Sequence, residues 1–124
     1  MANESRPIVV VTRKLPASVE EAVAARYDAR LNRTDVAMTG EQLTEAMRKA
    51  DVLFCTVTDK IRAEQFSGSV RVKLIANFGV GVNHIDLEAA RRAGVMVSNT
   101  PDVLTDDTAD IALALILMSM RRLG

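Results

Sequence analysis

The stretch from Leu74 to Val97, LIANFGVGVNHIDLEAARRAGVMV, decides the fold of this chain. An apolar run ends in a glycine-spaced loop, Gly79-Val80-Gly81, and a polar helix then leads to a second apolar run. Strand, loop, helix and strand in this order predict a βαβ unit. Ligands of such units gather at the carboxyl ends of the strands, so the loop is the first candidate for a site.

The rest of the chain repeats this alternation of strand and helix. We predict strands at 7–12, 27–32, 51–57, 72–77 and 95–97, and helices at 16–26, 39–49, 59–66 and 86–93. Ser18 and Asp86 are expected to cap their helices, and Gly94 is expected to end the helix that Asp86 begins. The pattern indicates an α/β fold, a flavodoxin-like doubly wound parallel five-stranded sheet with helices on both faces.

The last segment does not fit a self-contained domain. A helix is predicted from Thr105 or Asp106 to about Leu123, and its middle, IALALILMSM, is apolar on every side. A helix of this kind is normally buried all round. We therefore expect residues 1–104 to form one domain and residues 105–124 to form a protruding crossover helix. It would pack against a second copy of the chain or against a further domain of the parent protein.

Composition narrows the function classes. The 124 residues suit one core, and 16 basic residues balance 16 acidic ones, so charge favours neither nucleic acid nor an anionic membrane as partner. The longest apolar run, 111–118, is too short to predict a membrane span. The single cysteine, Cys55, and the lack of a leader pattern in the first residues predict a cytoplasmic protein.

The glycine loop allows three interpretations. A dinucleotide fingerprint, GxGxxG, would need glycine where His84 stands, and the acidic residue Asp102 follows a proline rather than a strand, so this reading is disfavoured. A tight turn between strand and helix is the second interpretation. The third is an anion cradle, in which the glycines let backbone N–H groups turn toward a small carboxylate as in a nest. The residues alone do not separate the second from the third.

Other chemistry-bearing residues favour structural roles. His84 is the only histidine and has no nucleophile or metal partner at a defined spacing, so a structural or exposed role outweighs catalysis. Cys55 lies within an apolar strand and is expected to be an inert buried thiol. Asp106 and Asp107 complement the dipole and cap the N–H groups at a helix start, which explains them better than acid–base work. No metal-ligand spacing is present, so no metal is expected.

The sequence from Asn77 to Leu117 resembles a known family. NFGVGVNHIDLEAARRAGVMVSNTPDVLTDDTADIALALIL contains an NxGVGxxxID loop and an AGVxVxNTPxVxTxxTA turn. Motifs, order and spacing are similar to those of the D-isomer-specific 2-hydroxyacid dehydrogenases, and within them to the glyoxylate/hydroxypyruvate reductase branch. The resemblance covers essentially the whole chain.

The resemblance implies that this chain is the first of two domains, the substrate domain. Val80 and Gly81 would bind the substrate carboxylate through backbone N–H groups, and Val57 and Thr58 would line the same cleft. Val80 and Thr108 would lie beside the cofactor, NAD or NADP, which the second domain would mainly bind. No catalytic residue is expected here, because the family's catalytic Arg, Glu and His lie in that second domain. The chain alone is therefore expected to be inactive.

The implied activity is reduction of a small 2-oxoacid to a D-2-hydroxyacid, in a homodimer formed through the helix at 106–121. An alternative from another class is a non-catalytic flavodoxin-like module for binding, regulation or dimerisation.

Overall fold

A computed structural model describes residues 6–123. The elements are β1 (Ile8–Val11), α1 (Ala17–Arg26), β2 (Asp28–Leu31), α2 (Gly40–Lys49), β3 (Val52–Thr56), a 3₁₀ turn (Ala63–Phe66), β4 (Leu74–Phe78), α3 (Leu87–Arg92), β5 (Met96–Ser98) and α4 (Thr105–Arg121). Residues 1–5 and 124 of the two expected segments lie outside the described part of the chain.

The five strands form one parallel sheet in the order β2-β1-β3-β4-β5. The predicted fold class is therefore confirmed. The chain winds outward from β1 in both directions, so the strand order reverses between β1 and β3. In doubly wound sheets, the crevice outside the carboxyl ends of the strands at such a switch point is the usual ligand site.

The apolar core has two unequal parts, one on each face of the sheet. Successive side chains of a strand point to opposite faces. Leu53 and Cys55 are fully buried in the larger part, whereas Val52 and Phe54 pack only partly buried against the smaller one. The larger part is covered by α2 and α3, with Leu43, Met47, Ala89 and Ala90; the smaller part is formed by Val9, Val11 and Leu15, with Val23 of α1 packed against it.

Two of the predicted helix signals are confirmed around α3. Asp86 caps this helix, since its Oδ1 accepts the N–H of Ala89 at 2.8 Å. Gly94 follows the helix with a φ of 70°, in the left-handed region that glycine adopts without a steric penalty. The N-terminal caps predicted for α1 and α4 are wrong. Helix α1 follows Pro16 and α4 follows Leu104, and neither has a side-chain cap.

The helix predicted at 59–66 is also wrong, apart from the 3₁₀ turn at its end. Ile61 instead forms a parallel bridge with Ile85, and Arg62 is extended, with φ of −100° and ψ of 179°. The backbone N–H and C=O of Ile61 therefore pair with His84 and Asp86, more than twenty positions away, rather than with the next turn. This pairing ties the segment after β3 to the segment before α3.

Helix α4 protrudes, as predicted. Every residue from 101 to 123 is exposed, including the whole apolar middle of the helix. None of the helices within residues 6–123 is long and apolar enough to cross a membrane.

Candidate functional site

The loop after β4 is organised by one buried side chain, that of Asn77. Its Nδ2 donates to the carbonyl oxygens of Gly79 at 3.1 Å and Gly81 at 2.9 Å. Its Oδ1 lies 3.0 Å from Nε2 of His84 and accepts a weak contact from Sγ of Cys55 at 3.7 Å. A buried amide with partners on both ends has a fixed orientation. Sequence reasoning assigned Asn77 no role, although an asparagine at the end of a buried apolar strand was the available signal.

All three carbonyl groups of the Gly79-Val80-Gly81 loop accept hydrogen bonds from the protein. Besides the bonds from Asn77, the Gly79 oxygen accepts the N–H of Thr100 at 3.1 Å, and the Val80 oxygen accepts Nδ2 of Asn99 at 2.9 Å. In a trans peptide the C=O and the following N–H point in opposite directions, and no peptide bond among the described residues is cis. The N–H groups of Val80 and Gly81 therefore point away from these donors. Within residues 6–123, neither donates a hydrogen bond.

The reason for the two glycines differs from the one that the sequence suggested. Neither has a positive φ, so the loop is not the nest that the anion-cradle interpretation assumed. A Cβ on Gly79 would collide with Cγ1 of Val57, whereas a Cβ on Gly81 would meet nothing within 4 Å. Gly79 thus lets the loop approach the end of β3. The donors are presented by ordinary backbone whose carbonyls are anchored.

His84 holds the far end of the loop. Its carbonyl accepts the N–H of Ile61 at 2.9 Å, next to the bridge between Ile61 and Ile85. Burial lowers the pKa of the His84 imidazole. The negative charge of Asp59 raises this pKa, and the positive charge of Arg62 lowers it further. Since Asn77 uses its amide nitrogen on two carbonyls, its Oδ1 must accept, and Nε2 of His84 therefore carries the proton. This geometry gives His84 a structural role.

A second polar cluster lies at the carboxyl ends of β1 and β3, the switch point of the sheet. The buried carboxylate of Asp59 accepts the hydroxyl of Thr12 at 2.5 Å and the N–H of Thr56 at 2.8 Å on its Oδ2. Arg13 donates from Nη1 to Oγ1 of Thr58 at 2.8 Å and from Nε to Oδ1 of Asp35 at 3.0 Å. The hydrogen bond and charge of Asp35 raise the pKa of the Arg13 guanidinium. Sequence reasoning missed this cluster, although an arginine directly after the strand 7–12 was visible.

The residues that the resemblance implied fall into two groups. Val57 and Thr58 follow β3, and Val80 and Gly81 follow β4, the neighbouring strand in the sheet. The close approach of Val57 to Gly79 brings these four residues to one edge. Thr108 is exposed in the first turn of α4, and no hydrogen bond among residues 6–123 links it to the loop.

The loop does not fit the pyrophosphate of a dinucleotide. Such a site needs a glycine-rich turn that opens directly into a helix, whose free N–H groups meet the phosphates. Here residues 82–86 intervene, and the carboxylate of Asp86 already occupies the first turn of α3. The first of the three interpretations is therefore excluded for this loop. Residues 6–123 also hold no group of three or more His, Cys, Asp or Glu side chains placed to bind a metal ion.

Cys55 has the environment of an inert thiol. It is fully buried beneath Asn77, and burial, with a contribution from the charge of Asp59, raises its pKa to about 12. A thiol with such a pKa remains protonated at neutral pH, and the thiolate is the reactive species.

Comparison with known proteins places this architecture in a family. The family model described as "D-isomer specific 2-hydroxyacid dehydrogenase, catalytic domain" matches residues 9–115. This chain belongs to that family. The resemblance drawn from the loop and turn motifs is thereby confirmed.

Curated relatives extend well beyond the part that this chain matches. The glyoxylate reductase of Thermococcus onnurineus is 37% identical over 118 residues, which cover 95% of this chain and 35% of that protein. The glyoxylate reductase of Aeropyrum pernix is 38% identical over 117 residues, which cover 94% of this chain and 35% of that protein. The chain thus spans about one third of the length of the curated relatives it matches.

Solved structures give the same picture. The TT0316 protein of Thermus thermophilus is 39% identical, with a TM-score of 0.77, and the match covers 93% of this chain and 37% of that one. An NADPH-dependent glyoxylate/hydroxypyruvate reductase from Sinorhizobium meliloti, solved with NADP and malonate, is 30% identical, with a TM-score of 0.68. The match covers 92% of this chain and 34% of that one.

Proposed function

We propose that this chain is the substrate-binding part of an NAD(P)-dependent 2-hydroxyacid dehydrogenase. The complete enzyme would reduce a short 2-oxoacid, such as glyoxylate or hydroxypyruvate, to a D-2-hydroxyacid. One observation carries the proposal: the loop after β4 engages its three carbonyls and leaves the N–H groups of Val80 and Gly81 free. The Sinorhizobium relative, a glyoxylate/hydroxypyruvate reductase, was solved with NADP and malonate, which supports the same class of ligand.

The loop suits a carboxylate for a physical reason. Hydrogen bonds from neutral N–H groups to an ionised acceptor are strong, and they add no charge next to the reacting carbon. Because Asn77 and Asn99 anchor the loop, its donors are already oriented before the ligand arrives. Val57 and Thr58 would then form the wall beside the bound acid.

The redox chemistry needs parts that the described residues do not supply. A nicotinamide, when bound, exchanges a hydride with the substrate. The histidine beside the loop, His84, uses its Nε2 on Asn77 and does not present this nitrogen to a ligand. We therefore assign no catalytic residue to this chain. NAD or NADP would touch it only at its edge, near Val80 and Thr108.

The first test is binding of a small carboxylate to the chain itself. We expect glyoxylate, pyruvate and malonate to shift the amide resonances of Val80 and Gly81 in a ¹⁵N NMR titration, whereas the matching alcohols and amides should not. Asn77→Ala frees the loop carbonyls and should weaken binding. Gln65→Ala, which removes another buried side-chain amide away from the loop, is the matched control. Unchanged loop amides with every carboxylate would refute the assignment.

The second test is turnover by the longest reading frame that contains this chain. Oxidation of NADH or NADPH with glyoxylate or hydroxypyruvate is the expected result. Carboxylate binding at the loop with no reduction of any 2-oxoacid would instead favour the non-catalytic binding module.

We also propose that the helix at 106–121 forms a homodimer interface. Its apolar side chains are exposed, with values from 42% at Met118 to 75% at Met120. Light scattering should show a dimer that dissociates in Leu115→Asp and Ile116→Asp. Val36→Asp, on an equally exposed valine far along the chain, should leave it intact. A monomeric wild-type chain would contradict the interface.

We also propose a cytoplasmic location for this protein. The proposal rests on the single cysteine.

A further inference from the structure

A cleft of about 280 Å³ opens at the switch point, next to the loop. Arg13, Asp35, Thr58, Val57 and Phe78 are among its lining residues. Val57 connects this cleft with the carboxylate loop, because its side chain lines the cleft and closely approaches Gly79. A small acid held by the Val80 and Gly81 N–H groups would have this cleft beside it, past Val57.

The guanidinium of Arg13 is fixed in the cleft but not saturated. It has five N–H donors; Nε uses one on Asp35, and Nη1 uses one on Thr58. The other three have no acceptor among residues 6–123. The side chain is only 24% exposed, which separates it from the other paired arginines, Arg30 at 62%, Arg71 at 52% and Arg92 at 68%. Arg13 is thus a half-buried, oriented donor group.

Two further contacts hold this donor in place. Oδ1 of Asp35 accepts the N–H of Lys14 at 3.0 Å as well as Nε of Arg13, and Asp35 itself has a φ of 57°. On the other side, Oγ1 of Thr58 lies 2.9 Å from Oγ1 of Thr56, whose N–H is bound by the buried Asp59. Arg13 is therefore clamped from both sides at the end of β1.

The chemistry of the cleft specifies the group it would take. Arg13 and Lys14 outweigh the single exposed carboxylate of Asp35, and the Thr58 hydroxyl lies directly beside the guanidinium. Such a surface offers N–H donors and a hydroxyl to an oxygen-bearing group. A methyl group would leave those polar groups desolvated and unpaired, which disfavours it.

We infer that Arg13, together with Thr58, is a specificity-determining pair that hydrogen-bonds an oxygen on C3 of the substrate. The inference rests on the proposed function, since the carboxylate must first bind the loop. It makes three-carbon, C3-hydroxylated acids the preferred substrate class over two-carbon acids and over acids with a C3 methyl group.

The test compares D-glycerate with D-lactate, which differ only in the C3 hydroxyl. NMR titration of the 124-residue chain gives both dissociation constants and follows the Arg13 Nε–H resonance together with the Val80 and Gly81 amides. We expect both acids to shift the loop amides, and only D-glycerate to shift the Arg13 resonance. D-glycerate should bind about fivefold more tightly, the order expected of one hydrogen bond.

The variants separate recognition from structure. Arg13→Met should remove most of the preference for D-glycerate and leave binding of D-lactate unchanged. Thr58→Val should also reduce the preference, since it removes the hydroxyl of the pair. Arg30→Met, which breaks the comparable Arg30–Asp28 pair on β2, is the control and should retain the preference. Thermal unfolding of each variant confirms that it is folded.

Four outcomes would overturn the inference. Equal affinity for the two acids, or a preference that survives Arg13→Met, refutes the role of Arg13 while the loop shifts keep the proposed function intact. Loss of D-glycerate and D-lactate binding alike in Arg13→Met shows a merely structural role. Absence of loop shifts with either acid refutes the proposed function and this inference with it.

Discussion

The first residues of β4 and the middle of α4 are both apolar stretches, yet they have opposite surroundings. Ile75 in β4 is fully buried, with β3 and β5 on either side, whereas Leu115 in α4 is 58% exposed. Apolar content alone therefore does not determine burial. An apolar stretch is buried only where neighbouring elements of the fold cover it. The buried stretch carries the rigid loop of the site. The exposed one is the surface that we propose as the homodimer interface.

The sharpest test of this contrast compares the same substitution in both settings. Leu53→Ala, at a fully buried position of β3, should lower the free energy of unfolding by about 2–5 kcal/mol, because it removes buried methyl groups and leaves a cavity. Leu115→Ala should change it by less than about 0.5 kcal/mol in the monomer. Urea unfolding at low protein concentration measures both. Similar losses would show that α4 is packed rather than exposed.

The second test lies within the loop and uses its two glycines. Gly79→Ala places a Cβ against Val57 and should cost about 1–3 kcal/mol by overpacking. Gly81→Ala, where a Cβ meets nothing within 4 Å, should be close to neutral. Adding Val57→Ala to Gly79→Ala should recover part of the loss, because the colliding methyl group is gone. Equal destabilisation by the two glycine variants, or no recovery, would contradict the close approach of β3 to the loop.

The smallest expected effect is the pH response of the loop anchor. Burial lowers the pKa of His84, so the unfolded chain takes up a proton on this residue first as the pH falls below about 6.5. The free energy of unfolding should therefore decrease from pH 7 to pH 5, and His84→Gln should flatten this part of the profile. Urea midpoints at pH 7, 6 and 5 provide the measurement. Identical slopes for wild type and variant would show that His84 has no such linkage.

Asp28, Asp35 and Asp51 respond in a different window and serve as an internal check. Hydrogen bonds from Arg30, Arg13 and Arg71 respectively are the main cause that holds their pKa values below the ordinary range. Stability from these groups is present above about pH 4 and is lost only at lower pH, so it does not overlap the histidine response.

The sequence by itself determined the sheet, the order of its elements and the family, because alternating apolar runs, turn glycines and helix caps such as Asp86 are local signals. It also drew attention to Val80 and Gly81 through the spacing of the loop motif. It gave the wrong reason for the glycines, since the contact between Val57 and Gly79 joins residues that are distant in the chain. The sequence also wrongly predicted a helix at 59–66, because Ile61 forms a bridge with the distant Ile85 instead.

Only the tertiary structure decided how the loop is anchored and what lies beside it. Arg13 meets its partners Asp35 and Thr58 across 22 and 45 residues, and no periodicity in the sequence encodes such a distance. Asn77 could be noticed as a polar residue in a buried strand, but the two carbonyls that it holds depend on how the loop folds back over it. Local patterns specify elements because neighbouring residues share one backbone geometry. Sites are assembled from the ends of separate strands, so their contacts exist only after those strands pair.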